Sequence, residues 1–224
     1  MNFAPWPCPL PGGGSAEEIA LAFDDFRRCR LLIIPALFDE ANRMRRFTVE
    51  VMRRLNAAGI DCFLPDLPGT NESLQPLETQ TPDLWRDAMA AAAKHFRASH
   101  VLGIRGGALV LPGRLPGWAY APVKGASQLR TMLRARILSS REAGIDENQA
   151  ELMEQAAAGG IELAGHRLGP EFVRQFQSLA APDDLSVIEQ DTIGGSGLWL
   201  RAEPDEDRAQ ADALAAVLAI GIKA

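Results

Sequence analysis

The sequence predicts an α/β protein: a three-layer α/β/α sandwich built on a mostly parallel sheet. Three observations lead there. Short apolar runs rich in branched residues (LLIIPALF after Arg30, IDCFLPDL from Ile60, HVLG from His100) alternate with stretches of helical periodicity. Strands that alternate with helices imply parallel pairing with both sheet faces covered. With 224 residues, 47% hydrophobic and 23% charged, the chain can bury one sizeable core of ordinary globular composition.

The opening through Ser15 is rich in Pro and Gly and is expected to be a flexible arm (1–15), leaving 16–224 as a single domain. After LLIIPALF, the residues Met44, Phe47, Val51, Leu55 and Ala58 recur at helical spacing, and Gly59 is placed to end that helix. IDCFLPDL repeats the strand signal and PGTNES supplies turn chemistry. Thr81 then serves as N-cap with Pro82 in the first helical position, and Leu84, Trp85, Ala88, Met89, Ala92 and Phe96 form the apolar face. HVLG is a third strand and GWAYAPV a fourth, joined by the short RGGALVLPGRLP.

The second half reads as helices near 126–140, 146–158 and 170–179, late strands at DLSVIEQ and GLWL, and a closing helix near 206–219. The segment 126–182 is a helical cap-like or packing region. Its stretch from Gln128 to Arg141 mixes Arg with Leu, Met and Ile, which suits an amphipathic packing helix or a homodimer surface.

A net charge of -6 gives no footprint for nucleic acid, apart from a local basic cluster at Arg43, Arg45 and Arg46. Cys8, Cys29 and Cys62 are odd in number and form no Cys-x-x-Cys pair, which argues against a disulfide framework or zinc site. Three scattered histidines make no metal-ligand pair and no Gly-Lys-Ser/Thr phosphate loop occurs, so neither metal nor cofactor is expected. Without a leader-like start or an apolar run of roughly 20 residues, the chain is expected to be cytoplasmic, with no membrane span.

Ligands of open parallel sheets sit beyond the carboxyl ends of the strands. There Gly103-Ile104-Arg105-Gly106-Gly107 follows HVLG and fits the glycines of the Gly-x-Ser-x-Gly elbow, with arginine in place of serine. On this and other blocks the chain resembles the α/β-hydrolase superfamily, and within it the type 2 hydrolases associated with exosortase A systems. PALFDEANRMRR matches a family segment at Pro35, Glu40, Asn42, Arg45 and Arg46; LPDLPGTNES, TPDLWRDA, GIRGGAL, APVKGASQLRTMLRARI and IELAGHRLGPEF resemble further blocks in the same order. The resemblance implies an α/β-hydrolase fold, a central arginine at the elbow, and a bacterial exopolysaccharide and exosortase-linked setting. Asn71-Glu72 stands where the family pattern has Gly-Asp, and Pro112 cuts the elbow helix short.

A serine hydrolase of this fold needs Ser, Asp or Glu, and His in that order. The elbow lacks serine, and no histidine follows His166. Ser127 and Ser196 fit no elbow, and His95, His100 and His166 are read as packing or surface residues. Guanidinium stays protonated, so Arg105 is neither nucleophile nor base.

Arg105 can bind an anion near a helix start, with the Gly106 amide beside it, or it can pair internally with Asp39, Glu40 or Asp66. Phe38, Glu40, Asn42 and Arg43, on the loop after the first of these strands, join Arg105, Gly106 and Asp66 as the expected ligand-binding residues, with none expected to be catalytic. Asn42 is also suited to cap the following helix. The sequence therefore points to a catalytically inactive hydrolase homologue that binds a small anion or a protein partner. The alternative is an active hydrolase or acyltransferase in which the carboxylate of Asp66 or Glu40 works beside Arg105.

Overall fold

The computed structural model describes residues 1–113 and 115–223. Its main sheet has seven strands: β1 (Asn2–Pro9), β2 (Ser15–Phe23), β3 (Arg30–Ile34), β4 (Asp61–Pro65), β5 (His100–Ile104), β6 (Gly117–Tyr120) and, late in the chain, β9 (Ser186–Ile188), in the order β1-β2-β4-β3-β5-β6-β9. Strands β4 to β9 of that order run parallel, while β1 pairs antiparallel with β2 and β2 antiparallel with β4.

The opening segment is therefore not a loose arm. Pro5, Pro7 and Pro9 fall on every second residue of β1. In a strand, alternate residues turn their N–H groups to the same edge, so these prolines delete only donors on the outer side, and proline is tolerated on edge strands. The residues between them, Trp6 and Cys8, are buried against the sheet. Composition concealed the strand because proline counts against a ladder only when it faces a partner.

Helices cover both faces. Alternation along β3 sends Leu32 and Ile34 into one core layer with Phe63, Trp85, Met89 and Phe172, and Leu31 and Ile33 into the other with Phe47, Leu55, Leu214 and Leu218. The second layer is covered by α1 (Asp39–Ala57) and α7 (Arg208–Lys223). Helix α1 ends with Gly59 at φ 84°, the Gly59 N–H donating to Asn56 and the Ile60 N–H to Leu55, a left-handed cap that satisfies two end carbonyls. The first layer is covered by α2 (Pro82–His95), capped by the Thr81 side chain accepting from the Leu84 N–H at 3.1 Å with Pro82 opening the helix.

Between β6 and β9 lie α3 (Gly125–Glu142), α4 (Gln149–Gly159), a small hairpin of β7 (Ile161–Leu163) and β8 (His166–Leu168), and α5 (Pro170–Gln177). Leu129, Met132 and Leu133 of α3 are buried within this chain, so the apolar side of that helix packs internally. GLWL is not a strand: Leu198–Leu200 form a single 3-10 turn that folds Trp199 back over the strand ends, and α6 (Gln190–Ile193) precedes it. Among the described residues no helix is long and apolar enough to cross a membrane.

His100 opens β5 stacked on Trp118 at 5.8 Å, and burial holds its imidazole below the ordinary histidine pKa. The folded state thus disfavours the proton more than the unfolded state does. This penalty is absent above pH about 6.5 and grows as the pH falls through the folded value. Between pH 7 and pH 5 the melting temperature of the wild type is expected to drop further than that of His100→Gln.

Candidate functional site

The site forms where β5 meets the turn after it. Arg105 takes φ 53° and opens a 3-10 turn, Arg105–Leu109. A left-handed arginine is strained by about 1 kcal/mol or more and persists only where its surroundings over-determine it. Two glycines do so. A Cβ at Gly103 would lie 2.5 Å from the Ala108 Cα, and one at Gly107 would lie 2.2 Å from the Pro35 carbonyl oxygen. The turn therefore doubles back onto β5 and rests on the end of β3. This is the backbone frame that lifts a side chain out at the end of the central strand, and the side chain lifted is a guanidinium.

That guanidinium is engaged inside the chain. Nε and one terminal nitrogen donate to the two carboxylate oxygens of Glu40, each at 3.0 Å, and the other terminal nitrogen donates to the Ala121 carbonyl at 2.7 Å. Its plane lies against the Trp199 ring, 4.0 Å from the centroid. The two side chains are 13% and 18% exposed, so the fork is largely shielded from water. Tyr120, beneath Trp199, donates to Gln190 at 2.5 Å; burial pushes its phenol up to about 12 against the opposing pull of the Arg105 charge, which removes it as a base at neutral pH.

Gly106 is roofed, since a Cβ there would lie 2.4 Å from Gln128 Oε1 and 3.0 Å from Leu37. The Gln128 amide donates to the Leu37 carbonyl at 3.3 Å. Beside this roof is a pocket of about 130 Å³ whose lining includes Phe38, Glu40, Arg43, Arg105, Ser127 and Thr131. Arg43 reaches the Trp199 carbonyl at 3.2 Å and forms no ion pair among the described residues.

Of the residues singled out in the sequence, Phe38, Glu40, Arg43 and Arg105 meet at this pocket, with Gly106 beneath its roof. Asn42 does not cap a helix. Helix α1 begins earlier, after Phe38 (φ 55°), with Asp39 and Glu40 supplying negative charge to its positive end, so Asn42 falls inside the helix and faces solvent. Asp66 does not pair with Arg105: it accepts from Arg45 at 2.8 Å and Asn71 at 2.9 Å, which ties the loop after β4 to α1.

His166 arrives from the β7-β8 hairpin, 3.6 Å from Asp39 and edge-on to the Phe38 ring at 5.3 Å. Sequence reading missed Trp199, because GLWL resembles a strand, and passed over Ser127, which fits no motif yet lines the pocket. Among the described residues no cluster of three metal-ligating side chains occurs.

The fold is that of the α/β-hydrolases. Along nearly its whole length the chain is similar to two solved structures of that kind. One is the mouse alpha/beta hydrolase domain-containing protein 10, at 14% identity with 100% of this chain and 99% of that chain covered and a TM-score of 0.55. The other is the esterase domain of a Rhodothermus marinus protein, at 11% identity with 99% and 98% covered and a TM-score of 0.56. No family model and no curated protein matches the sequence. At such identities the likeness is one of fold, and chemistry is argued from the side chains.

Arg105→Ala is expected to destabilise the protein by roughly 3 kcal/mol in urea denaturation, because it leaves the Glu40 carboxylate shielded from water without its partner.

Proposed function

We propose that this protein is a catalytically silent α/β-hydrolase homologue that works by binding a small anionic ligand beside its elbow. The observation that carries this reading is the engagement of Arg105. The position from which a nucleophile would attack holds a group that cannot attack, and its fork is already filled by Glu40 and Ala121. Nor do the carboxylates offer a substitute nucleophile or base, since Glu40 is held by Arg105 and Asp66 by Arg45 and Asn71.

The anion-recognition role moves from Arg105 to its neighbour. Arg43 lines the pocket without a carboxylate partner among the described residues, and the hydroxyl-bearing Ser127 and Thr131 line the same pocket. A carboxylate or single phosphate group suits such a set, and a pocket of about 130 Å³ suits a compact molecule. The exosortase-linked, exopolysaccharide setting of this function is supported by the ordered sequence blocks from PALFDEANRMRR to IELAGHRLGPEF.

Thermal melting in the presence of acetate, phosphate and a uronic acid tests the binding. At least one should raise the melting temperature of the wild type and leave Arg43→Ala unmoved; equal shifts in both proteins would reject Arg43 as the recognition group. Catalytic silence has its own test. Neither the wild type nor Arg105→Ser should turn over ester or thioester substrates above the uncatalysed rate, because the serine variant still has no assembled base. Esterase activity in either protein would refute the reading.

A further inference from the structure

On the opposite end of the sheet, far from the elbow in topology, the loop between β2 and β3 faces the C-terminal end of α2. Two adjoining hollows of about 610 and 430 Å³ share His95 as a wall, the first bounded by Phe26, Arg28 and Arg97 and the second by Trp6 and the start of β2. Both hollows are open to solvent, a form that suits a segment lying along the surface rather than an enclosed small molecule.

Two residues on the rim are held there against conformational preference. Arg97 has φ 51° at the residue after the α2 C-cap, where its N–H donates to Lys94 and the next N–H donates to Ala93. Glycine is favoured at that position because it adopts the left-handed region without strain. Phe26 has φ 58° and is 89% exposed. Burial therefore returns nothing for a large apolar ring in a conformation suited to glycine or asparagine. The loop that presents it is anchored by the fully buried Asp61, which accepts from the Asp25 N–H at 3.1 Å, the Arg27 N–H at 2.8 Å and the Arg30 guanidinium at 3.0 Å. Residues kept against local preference, on a rigid support, mark function more often than stability.

The chemistry of the groove is one-sided. Arg28 and Arg97 are exposed and form no ion pair among the described residues, whereas the nearby Asp24 is already neutralised by Arg30 at 2.9 Å. Two unpaired guanidiniums thus line a stretch of a molecule whose net charge is -6, and Glu17 at the far end limits it.

We propose that this groove docks an extended, carboxylate-rich segment of a protein partner, with Arg28 and Arg97 gripping acidic side chains and Phe26 supplying the apolar anchor. Two open hollows meeting at His95 suit an extended peptide more than a compact anion, and a protruding aromatic beside arginines is the residue set that dominates protein interfaces. Proline along the outer edge of β1 excludes strand addition there, so recognition runs through side chains.

The test is fluorescence anisotropy at low salt with labelled hexaglutamate, with hexalysine and inorganic phosphate as controls, on the wild type, Phe26→Ala, Arg28→Ala and Arg97→Gly. Hexaglutamate should bind the wild type and hexalysine should not. Each groove variant should weaken binding about tenfold, and Arg134→Ala, an exposed arginine of α3 outside both sites, should leave it unchanged. Arg97→Gly should at the same time raise the melting temperature by about 2–4 °C, as release of left-handed strain in a chain of this size predicts. That gain in stability with loss of binding is what a purely structural arginine would not give. The proposal is overturned if hexaglutamate fails to bind, if the variants bind as the wild type does, if phosphate alone competes at the peptide's own concentration, or if Arg97→Gly lowers the melting temperature.

Discussion

The fork between Arg105 and Glu40 joins the two elements that define the crevice: the turn after the central strand β5 and the first turn of α1 after β3. Because Gly103 and Gly107 press that turn onto Ala108 and Pro35, the Arg105 backbone has nowhere to relax, and its side chain must find partners within reach. Glu40, the Ala121 carbonyl and the Trp199 ring supply them from three separate parts of the chain. In this way one side chain at a strained position gathers the ends of β3, β5 and β6 and the late 3-10 turn. Such an ion pair contributes more to arrangement than to net stability, since desolvating both charges offsets most of their attraction.

The same geometry sets this elbow apart from one that presents a nucleophile. A nucleophile elbow works because it exposes one reactive atom to a space left empty for substrate. Here the exposed position carries a permanently charged donor whose partner is built in, and the space over Gly106 is roofed by Gln128 and Leu37. What remains is the smaller volume at the side, where Arg43 has no internal carboxylate. A strand-end centre built in this way keeps a concave, polar pocket beside an elbow whose side chain is held by internal partners. The distant groove around Phe26 and Arg97 stands on different elements.

Much of this was legible in the sequence, and the exceptions have physical causes. Alternating strand and helix periods indicated the parallel sheet, and Thr81-Pro82 and Gly59 marked helix ends because capping is local chemistry. The glycine frame around Arg105 revealed the elbow because only glycine tolerates those close approaches. The hairpin of β1 and β2 stayed hidden, since its prolines are harmless only once one knows which edge they face. Glu40 stood among three possible partners of Arg105, and choosing between them needed the helix start: α1 opens at Asp39, not after Asn42, which turns Glu40 inward and leaves Asn42 in solvent. Trp199 was the largest omission at the site. A four-residue apolar run carries no period, so strand and 3-10 turn look alike until the tertiary contact with Arg105 is seen.

Whether Arg105 and Glu40 act as one unit is measured directly by a double-mutant cycle. Arg105→Leu and Glu40→Leu, alone and together, would be compared by urea denaturation. The predicted coupling energy is about 2 kcal/mol or more, with the double variant more stable than either single variant because no lone charge is left shielded from water. Additive losses with a coupling near zero would contradict the account, since they would mean that the guanidinium at the elbow is free to serve another partner.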